Sequence, residues 1–166
     1  ASCNLFKYIK NKLLTIKKSL IKLIKNVFIT GGLGQDGKIL TKLLDKKKIN
    51  LNILTKSNKK IKNKKITFIQ SNLLSKKKLE SIFAKNKPDI VLHLGSNNPS
   101  YNEDSYKLFF KDNFLSTKNI FLSTFKANKK AKFIFCSSSQ IFQKKNGTVN
   151  EKSRVIASSD YTKFRI

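Results

Sequence analysis

The stretch Val27-Phe28-Ile29-Thr30-Gly31-Gly32-Leu33-Gly34-Gln35-Asp36-Gly37 constrains this chain more than any other. Its opening run of β-branched and aromatic side chains suits a strand buried on both faces of a parallel sheet. The glycines that follow stand at 31, 34 and 37, a GxxGxxG spacing rather than the tighter GxGxxG. Gly31 can take the tight turn out of the strand. Gly34 has no Cβ, so a pyrophosphate can approach the backbone, and Gly37 lets the next helix pack closely on its strand. The anion would rest on free N–H groups at the helix start, around Gln35 and Asp36. Alone, these glycines also fit an ordinary Gly-rich loop. The strand before them and the pattern after them favour a βα nucleotide-binding unit.

From residue 26 onward, strand and helix patterns alternate. Lys38 to Lys47 reads as a helix with Ile39, Leu40, Leu43 and Leu44 on one face. Further strands are expected at Leu51–Leu54, Ile66–Ile69, Ile90–Leu92 and Phe133–Phe135. Ser75 can cap a helix that turns Leu79, Ile82 and Phe83 inward and ends at Pro88. The span from Tyr106 to about Ala127 reads as one long helix. Alternation without internal repeats implies an α/β fold, a doubly wound parallel sheet with right-handed crossovers. A final helix has barely started at Tyr161 when the sequence stops, so a truncated domain over residues 26–166 is expected.

Residues 1–25 carry no acidic group, and their apolar positions recur at helical steps between lysines. Three readings stand for this basic amphipathic extension: contact with a membrane surface, targeting, or an arm packed on the domain or loosely ordered. The last is preferred. Over all 166 residues, 36 Lys and Arg face 9 Asp and Glu, a formal net charge of +27. Such a balance ordinarily points to nucleic acid. Here the basic residues are nearly all Lys and are scattered, while Asn and Ile are also abundant, which looks like compositional drift that fills solvated faces. Neither RNA-recognition motifs nor zinc-ligand spacing is present, so no specific nucleic-acid partner and no metal are expected. Apolar runs are all too short to span a bilayer. The only cysteines are Cys3 and Cys136, too few for a disulfide framework, which fits a reducing, cytoplasmic-type compartment.

After the second strand, a dinucleotide site needs a group for the adenine-side ribose: a carboxylate for NAD, a cation for the 2′-phosphate of NADP. The chain has Thr55, Lys56, Ser57, Asn58, Lys59 and Lys60 there, so NADP is favoured and NAD stays open. Cys136-Ser137-Ser138-Ser139-Gln140 follows the fifth strand, at the sheet edge where open α/β sheets bind ligands. Tyr161 and Arg165 lie four apart, on one face if both are helical. A cation beside a tyrosine favours tyrosinate, which can move a proton to or from a substrate hydroxyl while a serine orients that oxygen. Taken singly, each residue has an ordinary structural role; together they favour catalysis.

These residues resemble the extended short-chain dehydrogenase/reductase family, the NAD(P)-dependent nucleotide-sugar epimerases and dehydratases. Thr30 to Gly37 matches the family's Thr-Gly-x-x-Gly-x-x-Gly, with Gly34-Gln35-Asp36-Gly37 worded like the GDP-mannose 4,6-dehydratase branch. The family's Asp-Leu pair beside adenine falls on Asn72-Leu73. Lys87 to Gly95 is similar to its fourth strand, which implies that Leu94 and Gly95 line the cofactor, and Asn113 to Ile120 is similar to its Asn-x-x-Gly-Thr helix segment. The resemblance implies a Rossmann-type domain that precedes a substrate-binding domain, with a nucleotide-sugar substrate and a homodimer. It assigns catalysis to Ser138 and Tyr161, and puts Arg165 where the family has Lys, the residue that also holds the nicotinamide ribose. Gln140 stands where the dehydratases carry the Glu that assists water elimination, and an amide cannot exchange a proton in that way. Dehydration is therefore the step this sequence puts in question, and a catalytically weak dinucleotide-binding relative is the alternative.

Overall fold

The computed structural model describes residues 24–45, 49–56, 66–98, 106–143 and 148–166. The extension up to residue 23 and the basic connection Ser57 to Lys60 lie outside the described residues. The strands are β1 (Asn26–Thr30), β2 (Asn50–Thr55), β3 (Ile66–Gln70), β4 (Ile90–His93) and β5 (Lys132–Phe135). The helices are α1 (Gln35–Leu44), α2 (Lys76–Asn86), α3 (Tyr106–Phe109), α4 (Ser116–Ala127) and α5 (Asp160–Lys163). The five strands form one sheet in the order β3-β2-β1-β4-β5, and every pair is parallel. Direction reverses between β1 and β4, and that switch point opens a crevice at the C-terminal strand ends.

Central β1 explains the layering. Val27 and Ile29 point to one face and pack with Leu40 and Leu44 of α1, while Phe28 points to the other and meets Leu79, Phe83 and Ile120. The Phe28 and Phe83 rings meet edge to face at 5.0 Å. Burying each such side chain contributes about 2–3 kcal/mol.

Several expectations change on contact with the packed structure. On α1 only Gly37, Leu40 and Leu44 are buried. Ile39 and Leu43 stay 44% and 45% exposed, because the close approach at Gly37 rotates the seam toward the 37/40/44 stripe. Ser75 stands at the N-cap of α2 but its side chain makes no capping bond. The long helix is not uniform: Phe110–Leu115 is π-helical between α3 and α4. The last helix is a single turn, ending at Lys163, so Arg165 is not on the same helix as Tyr161. A turn carries it instead, with the Arg165 N–H donating to the Thr162 carbonyl at 3.0 Å.

Candidate functional site

The crevice is a cavity of about 380 Å³ beyond β1, β2 and β3. Gly31 leaves β1 with a φ of +69°, in the region that favours glycine, and a Cβ there would lie 2.7 Å from the Gly95 amide nitrogen. A Cβ on Gly37 would lie 2.2 Å from the Gly31 carbonyl oxygen. The fold itself demands glycine at both places. Gly34 differs: it is the N-cap of α1, with extended backbone, and an added Cβ would meet only the Gly31 oxygen, at 3.2 Å. A Cβ at Gly34 would need the Gly31 oxygen to give by a few tenths of an ångström, and without one the backbone at the start of α1 stays open to a ligand.

Gly31, Gly34 and Gly95 line the cavity, as do Thr55 at the end of β2, Lys56 just beyond it, and Asn72 and Leu73 after β3. Gln35 and Asp36 begin α1 just behind this lining, with the N–H groups of its first turn unpaired within the helix. Leu94 packs on the α1-side core and is not among the residues that line the crevice. The Ser71 hydroxyl is buried at the cavity wall with no hydrogen-bond partner among the described residues. An orphaned polar atom and an open glycine cradle together fit a polar, phosphate-bearing ligand.

Two features of this wall were not read from the sequence. Asp112, from the π-helical turn, faces Lys56 with 3.9 Å between Nζ and Oδ2. Asn113 is fully buried; its Oδ1 accepts from the Asn97 N–H at 2.7 Å and its Nδ2 donates to the Asn97 carbonyl at 3.0 Å. Asn113 set among Phe109, Phe110, Phe114 and Leu115 was the available signal, since an amide in an apolar stretch needs partners when it is buried.

The candidate catalytic groups lie beyond β5, outside the cavity lining. Tyr161 is buried against Phe109, and its hydroxyl donates to Asn98 Oδ1 at 3.3 Å. Asn98 adjoins Asn97, so this tyrosine touches the same loop that walls the crevice. Ser138 is half-buried and its Oγ accepts from the Gln140 N–H at 3.2 Å; among the described residues no hydrogen bond joins it to Tyr161. Arg165 is 96% buried in complement to its 4% exposure. Its guanidinium donates to the carbonyl oxygens of Cys136 and Ser137, stacks over Phe135 at 4.9 Å and sits 5.9 Å from the Tyr161 ring centroid. Burial lowers the Arg165 pKa, while Tyr161 and Cys136 oppose that shift. Burial also pushes the Cys136 thiol up to about 11, so it is an inert core group rather than a nucleophile.

Comparison with known proteins agrees with this geometry. Residues 27–163 match the model of the NAD dependent epimerase/dehydratase family. The chain belongs to that family, whose domain with this strand order is the Rossmann-type dinucleotide fold. It is 30% identical over 130 residues to the dTDP-D-glucose 4,6-dehydratase of Dictyostelium discoideum, a match covering 72% of this chain and 30% of that protein. Its fold is similar to the UDP-Glc/GlcNAc 4-epimerase of Campylobacter jejuni, with a TM-score of 0.76 at 18% identity, over 85% of this chain and 46% of the epimerase. It is also similar to a UDP-glucose-4-epimerase of Stenotrophomonas maltophila solved with bound NAD and formylated UDP-arabinopyranose. There the TM-score is 0.72 at 17% identity, over 85% of this chain and 45% of that one. The chain thus spans under half the length of these relatives.

Proposed function

We propose that this chain binds a nicotinamide dinucleotide and forms the coenzyme domain of an enzyme acting on a nucleotide sugar by transient oxidation of a sugar hydroxyl. The observation that carries the reading is the Cβ-free Gly34 at the switch point, which caps α1 with its backbone lining the crevice. Gly31 and Gly34 would hold the pyrophosphate with the first N–H groups of α1 around Gln35, Asp36 and Gly37. Asn72 and Leu73 would border the adenine, and Thr55 and Lys56 its ribose. The bound coenzyme supplies a hydride acceptor. Tyr161 takes the proton of the sugar hydroxyl, Ser138 orients that oxygen, and the Arg165 charge favours tyrosinate.

Lys56 favours NADP, although Asp112 offsets part of its charge, so NAD remains the competing coenzyme. For the sugar nucleotide, the wording of Gly34 to Gly37 favours a GDP-mannose-type substrate, while the Dictyostelium relative favours a dTDP-glucose type. Gln140 in place of a carboxylate disfavours the dehydration step, which leaves epimerisation or reduction at the oxidised carbon. A homodimer is the expected assembly by resemblance.

Titration with NADH and NADPH tests the coenzyme reading. Gly34→Val should abolish uptake in a sample shown to be folded by circular dichroism; uptake unchanged in Gly34→Val overturns the reading. A second reading is a dinucleotide-binding protein without turnover. The observation favouring it is Arg165, whose guanidinium is committed to two backbone carbonyls rather than turned toward a ribose. Hydride transfer from a panel of nucleotide sugars separates the two.

A further inference from the structure

We propose that His93 is a positioning residue whose ring, protonated on Nε2, locks the coenzyme crevice through a one-way hydrogen-bond relay from Gly95 to Asn113. The Gly95 N–H donates to Thr30 Oγ1 at 3.1 Å, and that oxygen lies 2.5 Å from His93 Nδ1. His93 Nε2 lies 2.8 Å from Thr117 Oγ1, whose hydroxyl donates to the Asn113 carbonyl at 2.5 Å. Each hydroxyl has a single proton, so counting them assigns the ring. Thr117 gives its proton to Asn113 and must accept from His93, which puts the ring proton on Nε2. A neutral imidazole then offers Nδ1 as an acceptor, and the Thr30 proton points to it. Thr30 Oγ1 is left to accept from Gly95.

Neutrality has a physical basis. The ring is 1% exposed, stacks on Phe135 at 5.7 Å and tilts against Phe133 at 6.1 Å. Burial, with added repulsion from Arg165, lowers its pKa to about 3. An uncharged ring of fixed tautomer keeps its direction at every physiological pH.

The relay acts on the crevice because of what its ends hold. Gly95 and Gly31 are in backbone contact, so the amide that Thr30 grips is the floor beside the proposed pyrophosphate site. At the other end, the side chain of Asn113 clamps both polar groups of the Asn97 backbone. Gly95, Ser96 and Asn97 all line the crevice, and the loop is held at both ends before any ligand arrives. Such preorganisation raises affinity by cutting the ordering cost of binding. The inference concerns the site of the preceding section and rests on its coenzyme reading.

The test uses the 166-residue chain with Thr30→Val, Thr30→Ser, His93→Asn and His93→Gln. Nitrogen NMR of the ring should show the proton on Nε2; a proton on Nδ1 overturns the relay. Thr30→Val should speed hydrogen exchange of the Gly95 amide and weaken NADPH or NADH binding about tenfold. Thr30→Ser, which restores the hydroxyl, should bring both back to within about threefold. Because Asn can replace the Nδ1 acceptor and Gln only the Nε2 donor, His93→Asn should bind coenzyme more tightly than His93→Gln. Equal affinity of Thr30→Val and the parent would leave the ring merely structural and sink the proposal. If the parent itself takes up neither coenzyme, the coenzyme reading falls. His93 is then judged on tautomer and Gly95 exchange, both measured without ligand.

Discussion

The crevice and the candidate catalytic edge beside it are built by different means. At β1 and α1 the site is made of backbone: a left-handed glycine, a Cβ-free helix start and a strand buried from Val27 to Thr30. Beyond β5 it is made of side chains on or beside a three-residue 3-10 turn and a four-residue helix, at the edge of the sheet. Backbone geometry tolerates almost no variation without loss of fold, whereas side chains at an edge can be exchanged while the fold survives. Two departures from the family pattern follow that division, while a third, Asn72, is a side chain on the crevice wall. Arg165 and Gln140 lie in the side-chain region, and the glycine spacing is intact.

The largest expected effect breaks the backbone end. Gly37→Ala forces a Cβ to within 2.2 Å of the Gly31 oxygen and should cost about 3–5 kcal/mol, read by denaturant unfolding. Mild destabilisation would mean α1 can slide, and the comparison would lose its basis.

Next comes acid. His93 has a folded pKa of about 3 against an ordinary value of 6.5, so the unfolded chain binds a proton that the native one refuses. Its contribution is whole above pH 6.5 and is lost as pH falls toward 3, at about 1.4 kcal/mol per unit of pH. His93→Gln should flatten that slope in unfolding curves taken across the window.

Arg165→Ala leaves the carbonyl oxygens of Cys136 and Ser137 without their donor and should cost about 1–3 kcal/mol. Arg165→Lys, a point charge in place of a planar fork, should recover only part of this. Full recovery by Lys would show that the β5 end depends on charge alone.

The smallest effect sharpens the ribose corner. Asp112→Asn should shift preference toward NADPH by a few-fold and Lys56→Ala toward NADH by a similar factor, since Lys56 is exposed and the pair, at 3.9 Å, is weak. Competition between the two coenzymes measures both. No shift in either variant would show that this corner does not read the ribose.

Much of the backbone end was legible in advance. Glycines at fixed spacing after a buried strand point to one geometry, because no other residue can occupy Gly31 or Gly37. Strand and helix order was legible too, since β-branched runs and helical periodicity are local signals. The seam of α1 was not. Four apolar residues at 39, 40, 43 and 44 cannot say which two face the sheet, and the contact at Gly37 decides it. The π-helical turn was hidden for a similar reason: Phe110–Leu115 has no composition distinct from an α-helix, yet it brings Asp112 to the crevice. Helical spacing of Tyr161 and Arg165 misled because the helix closes at Lys163, where the guanidinium turns back to the end of β5.

Local chemistry in the sequence by itself determined the order of the elements, the glycine turn and the family to which the chain belongs. The folded structure alone decided which polar groups meet. Thr30 and His93 are 63 residues apart, and only the pairing of β1 with β4 brings hydroxyl to ring. Such contacts depend on a strand register and on dry packing around it, and neither is written in any one stretch of residues.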